Sequence, residues 1–266
     1  MIVTAMTVRT GNVGGDADAE VSCARLLRCN AGVSQARWLR VQAAVVTAVK
    51  SYDENRESLV EAYCHLVKAG LGTGTSGNLS RRSPEGMLIT PTGIAPHELQ
   101  PGQLVAMSLG GEVSRGAMRP SSEWHMHAAI YAGRPDVQAV VHCHARHATI
   151  LACQHTPIPA VHYMIAITGR DTVPVAPYAR FGSEALARSV VDTLGDGRAC
   201  LLANHGLIAV GDDLQQALRV AEEVEELAAI YCGCLATGAA RILTPAQMEE
   251  VRRAFATYGQ QDGKRL

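Results

Sequence analysis

The sequence predicts a mixed α/β protein whose strands and helices interleave irregularly, and three observations predict it. Val137 to His144 is an apolar, β-branched run of strand length. Ala199 to Ala203 and Leu207 to Val210 flank the tip Asn204-His205-Gly206, the pattern of a hairpin. Leu214 to Leu235 carries Leu218, Ala221, Val224, Leu227, Ala228 and Tyr231 at helical spacing, which predicts the longest helix, capped by Asp212 or Asp213.

The remaining elements follow in order. Leu59, Tyr63, Leu66 and Val67 predict a helix over Glu54 to Ala69, ended by Gly70 and Gly72. Thr73 to Asn78 is a glycine-rich turn leading into Leu79 to Arg82. Met87 to Thr90 reads as a strand stopped by Pro91 and Gly93, and Leu104 to Leu109 as another that turns at Gly110-Gly111 into Glu112 to Ser114. Glu123 to Ala132 and His147 to Cys153 read as helices, and Thr244-Pro245 opens a last one, Ala246 to Phe255. Residues 1–50, rich in glycine and polar residues at their start, read as an appended, partly disordered N-terminal extension, with 51–266 as the folded domain.

At 266 residues the chain suits one domain, two at most, and 47% hydrophobic residues can build a sizeable core. The net charge of −1 argues against nucleic acid or an acidic membrane surface as partner. No uninterrupted apolar run reaches ~18 residues and no secretory signal opens the chain, so a soluble, cytoplasmic protein is expected. Eight cysteines form no C-x-x-C pair and read as reduced, mostly buried thiols. Charged residues are only 18%, against a usual ~25%, as expected where surface is buried between subunits.

His142 and His144 stand in the run Val-Val-His-Cys-His-Ala, where alternate residues of a strand share a face. With His205 at the hairpin tip they make a three-histidine zinc site with an open position, Gly206 letting the backbone approach closely. The other histidines, His125, His127, His147, His155 and His162 among them, read as structural or supporting. By spacing alone, Glu123 reads as a helix N-terminal acid stabilised by the helix dipole. Three segments of small residues with donors could bind phosphate if they converge: Thr75-Ser76-Gly77-Asn78, Thr90-Pro91-Thr92-Gly93 and Ser121-Ser122.

Taken together, the ordered blocks GTGTSGNLS, MLITPTGI, PSSEWHMHAAIY, RPDVQAVVHCHA, IPAVHYMIA, VAPYARFG and LLANHGLIA resemble the class II aldolase/adducin family over roughly Glu54 to Gly259. The resemblance is strongest to its fuculose-phosphate branch. It implies a single α/β domain with a mainly antiparallel central sheet flanked by helices, and a homotetramer with intersubunit active sites. It implies one Zn²⁺ per subunit, or another divalent ion, on His142, His144, His205 and Glu123, with Glu123 also the acid–base group. It implies a catalytic Tyr163 reaching in from the neighbouring subunit. Thr75, Gly77, Asn78, Thr92, Gly93, Ser121 and Ser122 match phosphate-binding positions, and Phe181 and Tyr258 match residues near the aldehyde end.

The implied activity is cleavage of a ketose 1-phosphate such as L-fuculose 1-phosphate to dihydroxyacetone phosphate and an aldehyde. Three alternatives share the fold. A salvage aldolase would act on 5-(methylthio)ribulose or 5-deoxyribulose 1-phosphate. An L-ribulose-5-phosphate 4-epimerase would carry aspartate where this chain has Glu123. A non-catalytic protein like the adducin head would lose metal ligands. The acids of the long helix, Glu222, Glu223, Glu225 and Glu226, read as a solvated or intersubunit face.

Overall fold

The first described element is helix α1, residues 54–68, whose Leu59, Tyr63 and Leu66 are buried. The computed structural model describes residues 54–255; the expectations for residues 1–50 and for Tyr258 lie outside the described residues. Strands β1 (Asn78–Ser83), β2 (Gly86–Ile89) and β3 (Val105–Met107) follow, then helix α2 (Trp124–Gly133), strand β4 (Ala139–Cys143) and helix α3 (Arg146–Cys153). A small hairpin of β5 (Ile158–Pro159) and β6 (Thr172–Val173) encloses a 3-10 helix, Tyr163–Thr168. Strand β7 (Val175–Ala176), helix α4 (Glu184–Leu194), strands β8 (Ala199–Leu202) and β9 (Gly206–Gly211), helix α5 (Leu214–Thr237) and helix α6 (Pro245–Phe255) complete the order.

Among the described residues, seven strands form one sheet in the order β3-β2-β1-β4-β9-β8-β7. All neighbours are antiparallel except β7 and β8. Every residue of β4 and β9 is buried because helices cover both faces. Alternation sorts the side chains: Leu79, Val141, Cys143, Leu207 and Ala209 face α1, α3 and α5. Val140, Cys200, Leu202, Ile208 and Val210 face α2 and α4. A strand covered on both sides reads as a continuous apolar run, which is why β4 and the β8–β9 hairpin stand out in the sequence. Burial pushes the thiols of Cys143 and Cys200 up to about 12, so both act as small packing groups.

Arg82 fastens α2 to β1. Its guanidinium donates to the carbonyls of Tyr131 at 2.8 Å and Arg134 at 2.9 Å, at the C-terminal end of α2, where positive charge is favoured.

Two expectations change. Glu112 to Ser114 forms no strand; Val113 makes an isolated bridge to Met107, because this exposed stretch has no apolar face to bury. Glu225 is not on a solvated face. Its carboxylate accepts from the backbone N–H groups of His147 and Ala148, each at 2.9 Å, and contacts His147 Nδ1 at 2.8 Å. Ala145 at the N-cap of α3 has no side-chain oxygen, so the orphan donors of that helix are met from α5. Glu222 likewise contacts His65 Nε2 on α1, at 2.5 Å.

Candidate active site

His142 lies on β4 with its side chain fully buried, and its Nδ1–H donates to the Leu207 carbonyl at 3.0 Å. That bond leaves the Nε2 lone pair free to ligate. His144 is the first residue past the strand, and His205 sits in the tight turn between β8 and β9. The three rings meet edge to face, with centroids 4.8, 4.9 and 5.1 Å apart. Gly206 is required for this approach: a Cβ there would stand 2.5 Å from the Cys143 carbonyl and 2.9 Å from His144 Cδ2.

Glu123 occupies the N-cap of α2, yet its side chain makes no capping hydrogen bond. The carboxylate turns into the site. Oε2 lies 3.1 Å from His142 Nε2 and accepts from Asn78 Nδ2 at 3.1 Å, while Oε1 lies 3.2 Å from His205 Nε2. Burial works to raise its pKa, but the neighbouring His142 and His205 outweigh it and hold the carboxyl well below the usual range. The His144 imidazole is lowered to about 4, by burial first and then by His142 and His205. It therefore offers a lone pair at neutral pH.

These four residues could hold a metal ion. One ligand atom from each of Glu123, His142, His144 and His205 lies within 4.8 Å of all the others. The fit rests on two further observations. Glu123 Oε1 is buried with no hydrogen-bond partner, and the Nε2 atoms of His142 and His144 face each other at 3.0 Å. A cation between them satisfies both, and three imidazoles with one carboxylate suit a borderline ion such as zinc.

The three small-residue segments come together beside this cluster. Thr90 N donates to the Leu79 carbonyl at 3.0 Å and Leu79 N to Thr90 Oγ1 at 3.2 Å, joining the first segment to the second. Ser121 N donates to the Thr90 carbonyl and Thr92 N to the Arg119 carbonyl, joining the second to the third. Gly77 has φ +89° and packs against β4, so close that a Cβ would meet the His142 carbonyl at 2.9 Å. Asn78, Gly77 and Ser121 are buried, and Thr75, Thr92, Gly93 and Ser122 are exposed on the rim.

A cleft of about 290 Å³ opens beside the cluster, lined by Ser122, Glu123, His144, Tyr178, Ala179, Phe181, Asn204 and His205. Phe181, 58% exposed, is therefore at the site, whereas Tyr163, 46% exposed, is not among its lining residues. The Tyr163 ring instead faces His162 and Phe255. Sequence reasoning missed Tyr178, Ala179 and Asn204. The first two sit in a loop with no periodicity, and Asn204 reads as a turn residue; its φ of +54° is the left-handed turn geometry that asparagine tolerates.

The fold and this donor set define a class. The model of the class II aldolase and adducin N-terminal domain family matches residues 57–232, and the chain belongs to that family. Within it, the chain is a class II aldolase of the fuculose-phosphate/methylthioribulose-phosphate type. It is 46% identical over 204 residues to a 5-methylthioribulose-1-phosphate/5-deoxyribulose-1-phosphate aldolase of Rhodospirillum rubrum, covering 77% of this chain and 92% of that protein. It is 42% identical over 207 residues to an L-fuculose phosphate aldolase of Haemophilus influenzae, covering 77% and 95%. A solved L-fuculose 1-phosphate aldolase superposes with a TM-score of 0.73 at 40% identity, covering 76% of this chain and 96% of that one. Among the described residues no helix is long and apolar enough to cross a membrane.

Proposed function

We propose that this chain is a zinc-dependent aldolase that cleaves the C3–C4 bond of a ketose 1-phosphate, releasing dihydroxyacetone phosphate and an aldehyde. The observation that carries the reading is the pocket of three imidazoles around a buried carboxylate with an unpartnered oxygen. A divalent ion bound there supplies Lewis-acid polarisation of the substrate's carbonyl and hydroxyl oxygens. Glu123, ionised in the free site, takes up the C3 hydroxyl proton as substrate binds and returns it to C3 after the bond breaks, and the proton drawn from the C4 hydroxyl restores the C3 hydroxyl. The partner's Tyr163 takes the proton of the C4 hydroxyl. Its exposure and its absence from the lining of its own chain's cleft support that assignment, in a homotetramer with sites between subunits.

Thr75, Gly77, Asn78, Thr92, Gly93, Ser121 and Ser122 hold the phosphate, using backbone N–H groups and hydroxyls rather than net positive charge. Phe181 faces the aldehyde end, and Tyr258, outside the described residues, is assigned there from the family resemblance alone. L-Fuculose 1-phosphate is the first substrate to test. The second reading, 5-(methylthio)ribulose or 5-deoxyribulose 1-phosphate, is favoured by the Rhodospirillum relative. Tyr178 and Phe181 offer an apolar wall that suits a methyl or methylthio end alike.

The test is dihydroxyacetone phosphate release from L-fuculose 1-phosphate and 5-(methylthio)ribulose 1-phosphate in parallel. The ratio of kcat/KM chooses between them. Release from neither, with epimerisation of L-ribulose 5-phosphate, would replace the aldolase reading.

A further inference from the structure

We propose that His127 is a positioning residue for the Glu123 carboxylate, acting through the side-chain amide of Asn78. The proposal rests on the aldolase reading for its activity readout only. Glu123, His127 and Tyr131 are spaced four apart on α2 and so share one face of the helix. Asn78 and Ser80 are spaced two apart on β1 and share one face of the strand. In the sheet, Asn78 lies directly opposite His142 and Ser80 opposite Val140, on the face that α2 covers.

The two stripes meet as one chain of hydrogen bonds. Tyr131 Oη and Ser80 Oγ are 2.8 Å apart, Ser80 Oγ and His127 Nδ1 2.7 Å, His127 Nε2 and Asn78 Oδ1 2.6 Å, and Asn78 Nδ2 and Glu123 Oε2 3.1 Å. His127 and Ser80 are wholly buried, so neither can exchange its partners for bulk water.

Direction in the chain follows from its last member. An ionised carboxylate only accepts, so the Asn78 amide must present its NH₂ to Glu123 and its Oδ1 to His127. His127 must then donate from Nε2. Burial lowers the His127 imidazole to about 3, so it is neutral and carries a single N–H. Its Nδ1 therefore accepts from the Ser80 hydroxyl, and Ser80, its proton given, accepts from Tyr131. Each link has one allowed orientation. Without the Nε2–H, nothing stops the Asn78 amide from turning over and presenting its oxygen to the carboxylate. The chain ends on the Glu123 oxygen that also lies 3.1 Å from His142 Nε2, so its last link fixes how the carboxylate meets the histidine cluster.

The test compares His127→Gln, whose amide N–H replaces the Nε2 donor, with His127→Asn, which cannot reach it, and His127→Leu, which has none. Two readouts are taken. In protein loaded with Co²⁺, the visible d–d bands respond to whether Glu123 ligates, with Glu123→Ala as the reference for its loss. In steady-state cleavage, the expected result is a fall in kcat of roughly 10- to 100-fold for Leu and Asn with KM little changed, and recovery towards wild type for Gln. The Leu and Asn spectra should move towards that of Glu123→Ala and the Gln spectrum should not. If Leu fails to fold, the Gln and Asn pair decides. Wild-type spectra in all three variants, or Gln no better than Asn, would overturn the proposal. A wild-type protein without cleavage activity would sink the aldolase reading, and the spectra would still decide this one.

Discussion

Glu123 carries the account at the scale of single residues. A glutamate at the first turn of a helix has an ordinary explanation in the dipole, and spacing cannot separate that from catalysis. In the structure the carboxylate leaves the helix end uncapped and turns to His142, His205 and Asn78, the arrangement on which the proposed role rests. Glu123→Gln should therefore retain metal on the three histidines while kcat falls roughly 10²- to 10⁴-fold; near-normal turnover would remove Glu123 from the chemistry. His144 also sets a pH dependence. The folded chain refuses protons at His144 until about pH 4, whereas the unfolded chain takes them up from about 6.5. Its contribution to stability is complete above about pH 6.5 and is eroded as pH falls towards 4, with Glu123 adding to the loss below its ordinary range. Tm of the chelated protein should fall steadily across that window, and a flat Tm would contradict it. His142 and His144 were legible because strand periodicity alone puts them on one side. Tyr178 and Asn204 were not, since loop residues meet the site through contacts that no local pattern encodes.

At the scale of elements, buried regularity decided what could be read. Strand β4, the β8–β9 hairpin and helix α5 are long, apolar and periodic, and each was found within a residue or two of its bounds. Helix α4 was overlooked although Leu186, Ala187, Val190 and Leu194 repeat at helical spacing and Ser183 caps it through Leu186 N at 3.2 Å. The short pairings β5–β6 and β7–β8, two residues each, are held by their neighbours rather than by propensity. Glu225 shows the same limit: a capping group in space can be far away in sequence. Glu225→Ala strips two donors of their partner and should cost about 1–3 kcal/mol. Because α3 begins directly after the His144-Ala145 pair, metal affinity should weaken alongside. Chemical denaturation and metal titration check both, and an unchanged midpoint would show water replaces the cap freely. Gly206→Ala should be worse, since its Cβ would collide with the backbone of Cys143.

For the molecule as a whole, the sheet does the positioning. Its centre supplies His142 from β4, Asn78 from the neighbouring β1 and His205 from the turn before β9, while α2 lays Glu123 across the same face. The mainly antiparallel sheet with helices on both sides agrees with what the family resemblance implied, and residues 57–232 match the family model. Tyr163 is a residue whose proposed role a single chain leaves unexplained, since it does not line the cleft. Tyr163→Phe should slow cleavage at least tenfold, as loss of a general base does, while the oligomer measured by light scattering stays intact. Dissociation instead would make Tyr163 an interface residue.

The most direct measurement is dihydroxyacetone phosphate release by protein stripped with a chelator and then titrated with Zn²⁺. The account predicts no release from the stripped protein, and recovery that saturates at one ion per chain and is absent in His142→Ala. Undiminished release after complete removal of metal would contradict it.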